Sequence, residues 1–181
     1  MKPDLRGVVE EAKRLESLAM AIYTKFASIF RSDPELHGFW MSMARHEAAH
    51  VGALALLSVL LEQSGVEVEL NEAPDVIANA ASDIEALHSE ATAGVSSDRA
   101  FAVAVELESL ELEDLVLDLI HVLSDPAARD HAEQMLLHDL SDLSLMIEKH
   151  CCDETVLARV DEMVEGRVGG SAVKPIVVRR V

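Results

Sequence analysis

Apolar residues recur three and four positions apart along most of the chain, the spacing of helices that bury one face. The pattern predicts a first helix over about residues 5–31 and a second over 34–64, ended by Gly65. A third is expected over 97–123 and a fourth from Pro126 to about His150. Ser32-Asp33-Pro34 and Ser124-Asp125-Pro126 supply the same start signal twice, an aspartate cap followed by proline at the first helical position. At ~1.5 Å per residue the four helices are each roughly 40 Å long, the scale of a helical bundle. The link over 66–96 is long enough to carry the chain from one end of a bundle to the other, and its later part, 77–94, has a helical pattern of its own. A short helix is expected over 154–165, ended by Gly166.

Composition agrees with this all-α expectation. Half of the 181 residues are hydrophobic but only 3% are aromatic, so the core must be built from Leu, Ala, Val and Met rather than from the residues that favour strands. The length suits one domain, placed at 1–165, followed by a tail at 166–181 that has four basic residues and no acidic one. That tail is expected to be flexible or to pack against another copy, and a homodimer is the expected assembly.

Charge narrows the function. With 33 acidic against 15 basic side chains the net charge is −18, which repels both phosphate backbones and anionic headgroups. Neither a nucleic-acid nor a membrane partner is expected. The first residues are charged and amphipathic, no apolar run approaches the ~20 residues of a membrane span, and the two cysteines, Cys151 and Cys152, are adjacent. A reducing cytoplasm is the expected location.

The chain also repeats itself at a shift of 92. Leu15-Glu16-Ser17-Leu18 falls on Leu107-Glu108-Ser109-Leu110, the two Ser-Asp-Pro turns coincide, Met43 falls on Met135 and His46 on His138. The chain therefore reads as two related helical hairpins joined by a crossover.

Each of the four long helices carries a carboxylate within its apolar stripe: Glu16, Glu47, Glu108 and Asp139. His50 lies one turn beyond Glu47, and Asp142 one turn beyond Asp139. An ionised carboxylate buried alone costs several kcal/mol. The cation that shares a helical face with Glu16 is Lys13, whose long stem can carry its ammonium to water. Two explanations stand: the carboxylates are protonated and bonded to one another, or a cation sits among them. Hard divalent ions suit oxygen and imidazole donors. Tyr23, two turns from Glu16, reads as packing, and Cys151-Cys152 as structural.

Glu16, Tyr23, Glu47-Ala48-Ala49-His50 and the stretch AFAVAVELESLELE, with Leu107-Glu108 at the third-helix position, resemble the rubrerythrin-like branch of the ferritin-like superfamily over about residues 8–150. The resemblance implies a ferritin-like four-helix bundle in which a Glu from two helices and a Glu-x-x-His from each of the others hold two metal ions. It assigns Glu16, Glu47, His50, Glu108, Asp139 and Asp142 as ligands. It implies two iron ions and oxidoreductase chemistry on peroxide or on Fe²⁺ and O₂. The fourth helix departs from the family in having Asp139-Leu140-Ser141-Asp142 where Glu-x-x-His is expected. With Asp142 the six assigned ligands would bring −5 against the +4 of two divalent ions, which leaves room for another divalent metal, a single ion, or recruitment of Glu111. The chain lacks the Cys-x-x-Cys pairs of a rubredoxin module, so an enzyme of this kind would need an external electron donor. The alternative is a non-catalytic bundle that serves as an interaction scaffold with a degenerate or single-metal site.

Overall fold

The computed structural model describes residues 4–64, 68–70, 72–110, 112–121, 126, 127, 129, 130, 140–168, 179 and 180. These form helices α1 (Leu5–Ile29), α2 (Pro34–Ser64), α3 (Ala73–Ala93), α4 (Ser97–Glu108), α5 (Leu112–His121), α6 (Leu140–His150) and α7 (Glu154–Val168). The class is all-α. A two-residue strand pair joins Val68–Glu69 to Arg179–Arg180 in antiparallel register, so this part of the tail is tied to the α2–α3 link of its own chain. No helix among the described residues is long and apolar enough to cross a membrane.

Caps set the ends of α1 and α2. Asp4 Oδ1 accepts the Gly7 N–H at 2.7 Å and starts α1. Asp33 Oδ1 accepts the N–H groups of Glu35 (3.0 Å) and Leu36 (3.1 Å), satisfying two donors that the first turn of α2 cannot pair internally. The resulting turn is short, so the two helices fold back on each other. Ala27 O meets His37 Nδ1, Glu16 meets His50, and Glu10 meets Ser58. The partner numbers fall as the others rise, which is the signature of an antiparallel pair.

The face that α1 turns inward is Val8, Val9, Ala12, Leu15, Glu16, Ala19, Ile22, Tyr23, Phe26 and Ala27, the three-and-four spacing read from the sequence. Near the Asp33 turn the core is aromatic. Tyr23 stacks on Trp40 at 6.0 Å between ring centroids, and Phe26, Phe39 and Phe101 close around the indole at 4.7–5.0 Å. Helix α3 lies along α1, with an ion pair from Arg14 to Glu85 on the rim. It ends at Gly94, whose φ of +100° turns the chain toward α4 through a conformation that side chains with a Cβ rarely adopt. Helix α4 packs on α6 and α7, and Lys149 and His150 at the end of α6 pair with Glu35 at the start of α2.

The structure departs from the sequence pattern in the third long helix and in the last short one. The single helix expected over 97–123 is two, because α4 stops after Glu108 and helix resumes only at Leu112. The Ser109 hydroxyl bonds Glu106 O at 2.8 Å, a local alternative to the helical ladder. The buried positions Phe101, Ala104, Glu108, Leu112, Leu115 and Leu119 keep the same period across the interruption, so periodicity gave no sign of it. Helix α7 runs past Gly166 to Val168. Within the second of the two expected hairpins, residues 111, 122–125, 128 and 131–139 lie outside those described, the Asp125 cap among them, as does Gly65.

Replacing Asp33 by Ala removes the acceptor for two N–H groups at the start of α2. The expected loss is about 1 kcal/mol of unfolding free energy in urea titrations, with no change in helix content.

Candidate metal centre

Among the described residues four polar or charged side chains are buried: Glu16, Glu47, His50 and Glu108. All four are ligands that the resemblance assigned. Glu16 is 2% exposed, near the middle of α1, and α2 brings Glu47 and His50 to the same height from the opposite side. His50 is three positions on from Glu47, so both side chains leave one face of α2 and converge.

His50 Nδ1 lies 3.2 Å from Glu16 Oε2 and 3.2 Å from Glu47 Oε2. One ligand atom from each of the three residues lies within 4.8 Å of the others, close enough to surround one small cation. Lys13 contributes nothing here: its ammonium pairs with Glu10 on the outer face, as the snorkelling argument anticipated. Glu16 Oε1 and His50 Nε2 are buried without a hydrogen-bond partner. An unpartnered carboxylate oxygen in a dry interior is costly, and a cation is what would relieve it.

Glu108, at the last turn of α4, accepts a 2.8 Å hydrogen bond from the Tyr23 hydroxyl. Tyr23 is therefore more than packing: its ring belongs to the aromatic core and its hydroxyl fixes a buried carboxylate. The sign available in the sequence was position, since Tyr23 lies seven residues from Glu16 on the same helical face. Glu16, Glu47 and Glu108 together line a cavity of about 20 Å³, walled by Ile84, Leu110 and Leu112. That volume holds roughly one water-sized occupant.

Of the two fourth-helix positions only Asp142 is described. Asp142 is exposed in the first turn of α6, so it offers no ligand to the buried cluster. Asp139, His138 and the auxiliary candidate Glu111 lie outside the described residues. His46 is half-buried beside Glu47 and is not one of the three clustered residues.

Compared with known proteins, the chain matches no protein-family model, no curated protein and no solved structure. The site must be read from its own geometry.

That geometry is electrostatically tense. Burial pushes the Glu47 carboxyl well above the usual carboxylate range; the His50 hydrogen bond opposes the shift, and the charge of Glu16 adds to it. Burial alone would lower the pKa of His50, but its bonds to Glu16 and Glu47 outweigh this and raise it to about 11. At neutral pH and without metal, the cluster holds its protons more tightly than the unfolded chain does.

Both raised values have the same sign of linkage. The stability they contribute is present below the unfolded pKa values, about 4.5 for Glu47 and 6.5 for His50. It is lost as pH climbs toward the folded ones. Metal-stripped protein should therefore be less stable at pH 9 than at pH 6, with a slope of up to about 1.4 kcal/mol per pH unit per group. Urea midpoints of the wild type and of an E47Q/H50Q double variant measure this, the double variant being flatter. Equal midpoints for the wild type at the two pH values would contradict the arrangement.

Proposed function

We propose that this chain is a divalent-cation-binding helical protein whose ion is held by Glu16, Glu47 and His50. The observation that carries the reading is the buried convergence of two carboxylates and an imidazole, with Glu16 Oε1 left without a partner. Two carboxylates balance the charge of one divalent ion, and the imidazole completes a mixed oxygen and nitrogen set that suits iron, manganese or zinc better than calcium. The ion would take the place of the protons on Glu47 and His50, so its affinity rises with pH. Under this reading the protein's own residues have clear tasks. Glu16 and Glu47 bind, Tyr23 orients Glu108, and the surrounding aliphatic and aromatic side chains exclude water.

A second reading is favoured by Glu108, which faces the same cavity and is already oriented by Tyr23. With it the site has three carboxylates and one imidazole, three helices' share of a rubrerythrin-like two-metal centre on a ferritin-like bundle. If a second iron ion were recruited there, the centre would supply redox chemistry with peroxide or O₂ and would require an external electron donor. Asp142 does not support this version, because its side chain faces water.

Metal analysis after anaerobic loading with Fe²⁺ or Co²⁺, followed by desalting, separates the two. One equivalent per chain is expected, falling to less than a tenth in E16Q and in H50Q. Two equivalents, with an oxo-bridge absorption band appearing after exposure of the iron form to air, would instead support the two-metal centre. No retained metal, together with melting that chelator leaves unchanged, would reject both and leave a scaffold.

A further inference from the structure

The interruption between α4 and α5 sits beside the buried cluster. Its Leu110 is half-buried and lines the inner cavity together with Glu16, Glu47 and Glu108. The same Leu110 also lines a second, larger pocket of about 410 Å³ on the outer side of the break. That pocket is bounded by Asp83, Glu90, Arg99, Glu106 and Ser109. The two spaces share other walls as well: on α3, Asp83 faces the outer pocket while its neighbour Ile84 faces the inner one. Leu110 and one turn of α3 therefore lie between the outer pocket and the candidate ligands.

The outer pocket has the charge that an approaching cation needs. Three carboxylates face one guanidinium, and that guanidinium is already engaged. Arg99 Nε and Nη2 bind Glu90 at 2.7 and 2.8 Å, and Arg99 Nη1 binds Glu106 at 2.7 Å. The clamp holds α3 to α4, keeps the Arg99 charge from opposing a cation, and leaves the pocket net negative. A cleft lined by one sign of charge raises the local concentration of the opposite ion.

We propose that this pocket is the access vestibule through which a divalent cation reaches the Glu16–Glu47–His50 group, with Leu110 as its gate. The inference rests on the metal-binding reading given above. The break is what makes a gate available. A leucine in a continuous helix is held by hydrogen bonds on both sides of it, whereas Leu110 lies past the end of α4, where its N–H turns to Leu107 O three residues back and the four-residue ladder of α4 has ended at Ser109. A small swing of that side chain joins the two cavities without unfolding either hairpin helix.

Stopped-flow mixing of the metal-free chain with Co²⁺ tests this, because the chain has one tryptophan, Trp40, stacked on Tyr23 and so placed to report occupancy by fluorescence quenching. In a D83N/E106Q variant, loading should slow several-fold at low ionic strength, and the difference should vanish at about 1 M salt, where the screening length is ~3 Å. Equilibrium stoichiometry should be unchanged. In L110A, release of bound Co²⁺ to a competing chelator should be at least several-fold faster than in the wild type. Wild-type loading rates in D83N/E106Q, or wild-type release from L110A, would overturn the vestibule while leaving the metal site standing. If the unmodified chain takes up no Co²⁺ at all, the metal-binding reading itself fails, and the vestibule falls with it.

Discussion

The structure depends on how negative charge is accommodated where water is excluded. Glu16, Glu47 and Glu108 come from three helices and are all buried, and the cationic group that the described residues bring to them is the imidazole of His50. In such surroundings a carboxylate is neutralised by a proton, a hydrogen-bond donor or a metal ion. Each of the three already shows a different balance of these: Glu108 takes the Tyr23 hydroxyl, Glu47 holds a proton more tightly than usual, and Glu16 keeps one oxygen without a donor. A cluster with an unmet acceptor is poised to bind a cation, and the apolar packing around it makes the need strong. Apolar residues of similar volume would suit the core better, so these four side chains are not there for packing alone.

The rest of the first hairpin serves to hold that arrangement. The Asp33 cap fixes where α2 begins, and the His37 ring binds back to Ala27 O at 2.9 Å, which sets how α2 lies along α1. Sixteen residues past Pro34, at 3.6 residues per turn, His50 faces Glu16. Trp40 and its aromatic neighbours fill the space between the turn and the cluster, so Tyr23 has little freedom to withdraw its hydroxyl from Glu108. Rigidity there is consistent with a site whose ligands are placed before the ion arrives, which lowers the entropy lost on binding.

Much of this was legible in the sequence, for reasons that are specific to helices. A 3.6-residue period converts spacing directly into a face, so Glu16 and Glu47–His50 could be assigned to the interior without knowing how the helices pack. Capping chemistry is equally local, and Asp33 followed by Pro34 marked the start of α2 correctly. The helix of the crossover, α3, was legible in the same way. What escaped was information that periodicity does not carry. The break after Glu108 leaves the apolar period intact, so nothing in the pattern separates α4 from α5. Asp142 matched a ligand position by repeat and spacing, yet faces water, because a register read from one hairpin fixes the rotation of a helix in the other only if both pack alike. Tyr23 was read by its ring, while its hydroxyl became visible only when α4 was placed opposite. Asp139, the remaining assigned ligand, falls outside the described residues and adds nothing to either side.

The repeat itself gives the last step. Leu15-Glu16-Ser17-Leu18 and Leu107-Glu108-Ser109-Leu110 are the same four residues, but α1 runs through the first and α4 ends inside the second. The serines differ accordingly: Ser17 bonds Lys13 O four residues back, within a continuing helix, and Ser109 bonds Glu106 O three residues back, where the ladder stops. Context must decide, and the following residues differ in kind. Ala19-Met20-Ala21 favours continuation, whereas Glu111-Leu112-Glu113-Asp114 is rich in the acids that stabilise a new helix start. One copy of the motif thus gives a carboxylate locked in a straight helix, and the other gives a carboxylate beside an interruption that opens toward an acidic pocket. Under the metal-binding reading proposed above, the first copy would hold the ion and the second would border its way in. In a symmetric pair of straight hairpins Leu110 would stay within a helical ladder, and no interruption would lie between the acidic pocket and the buried carboxylates.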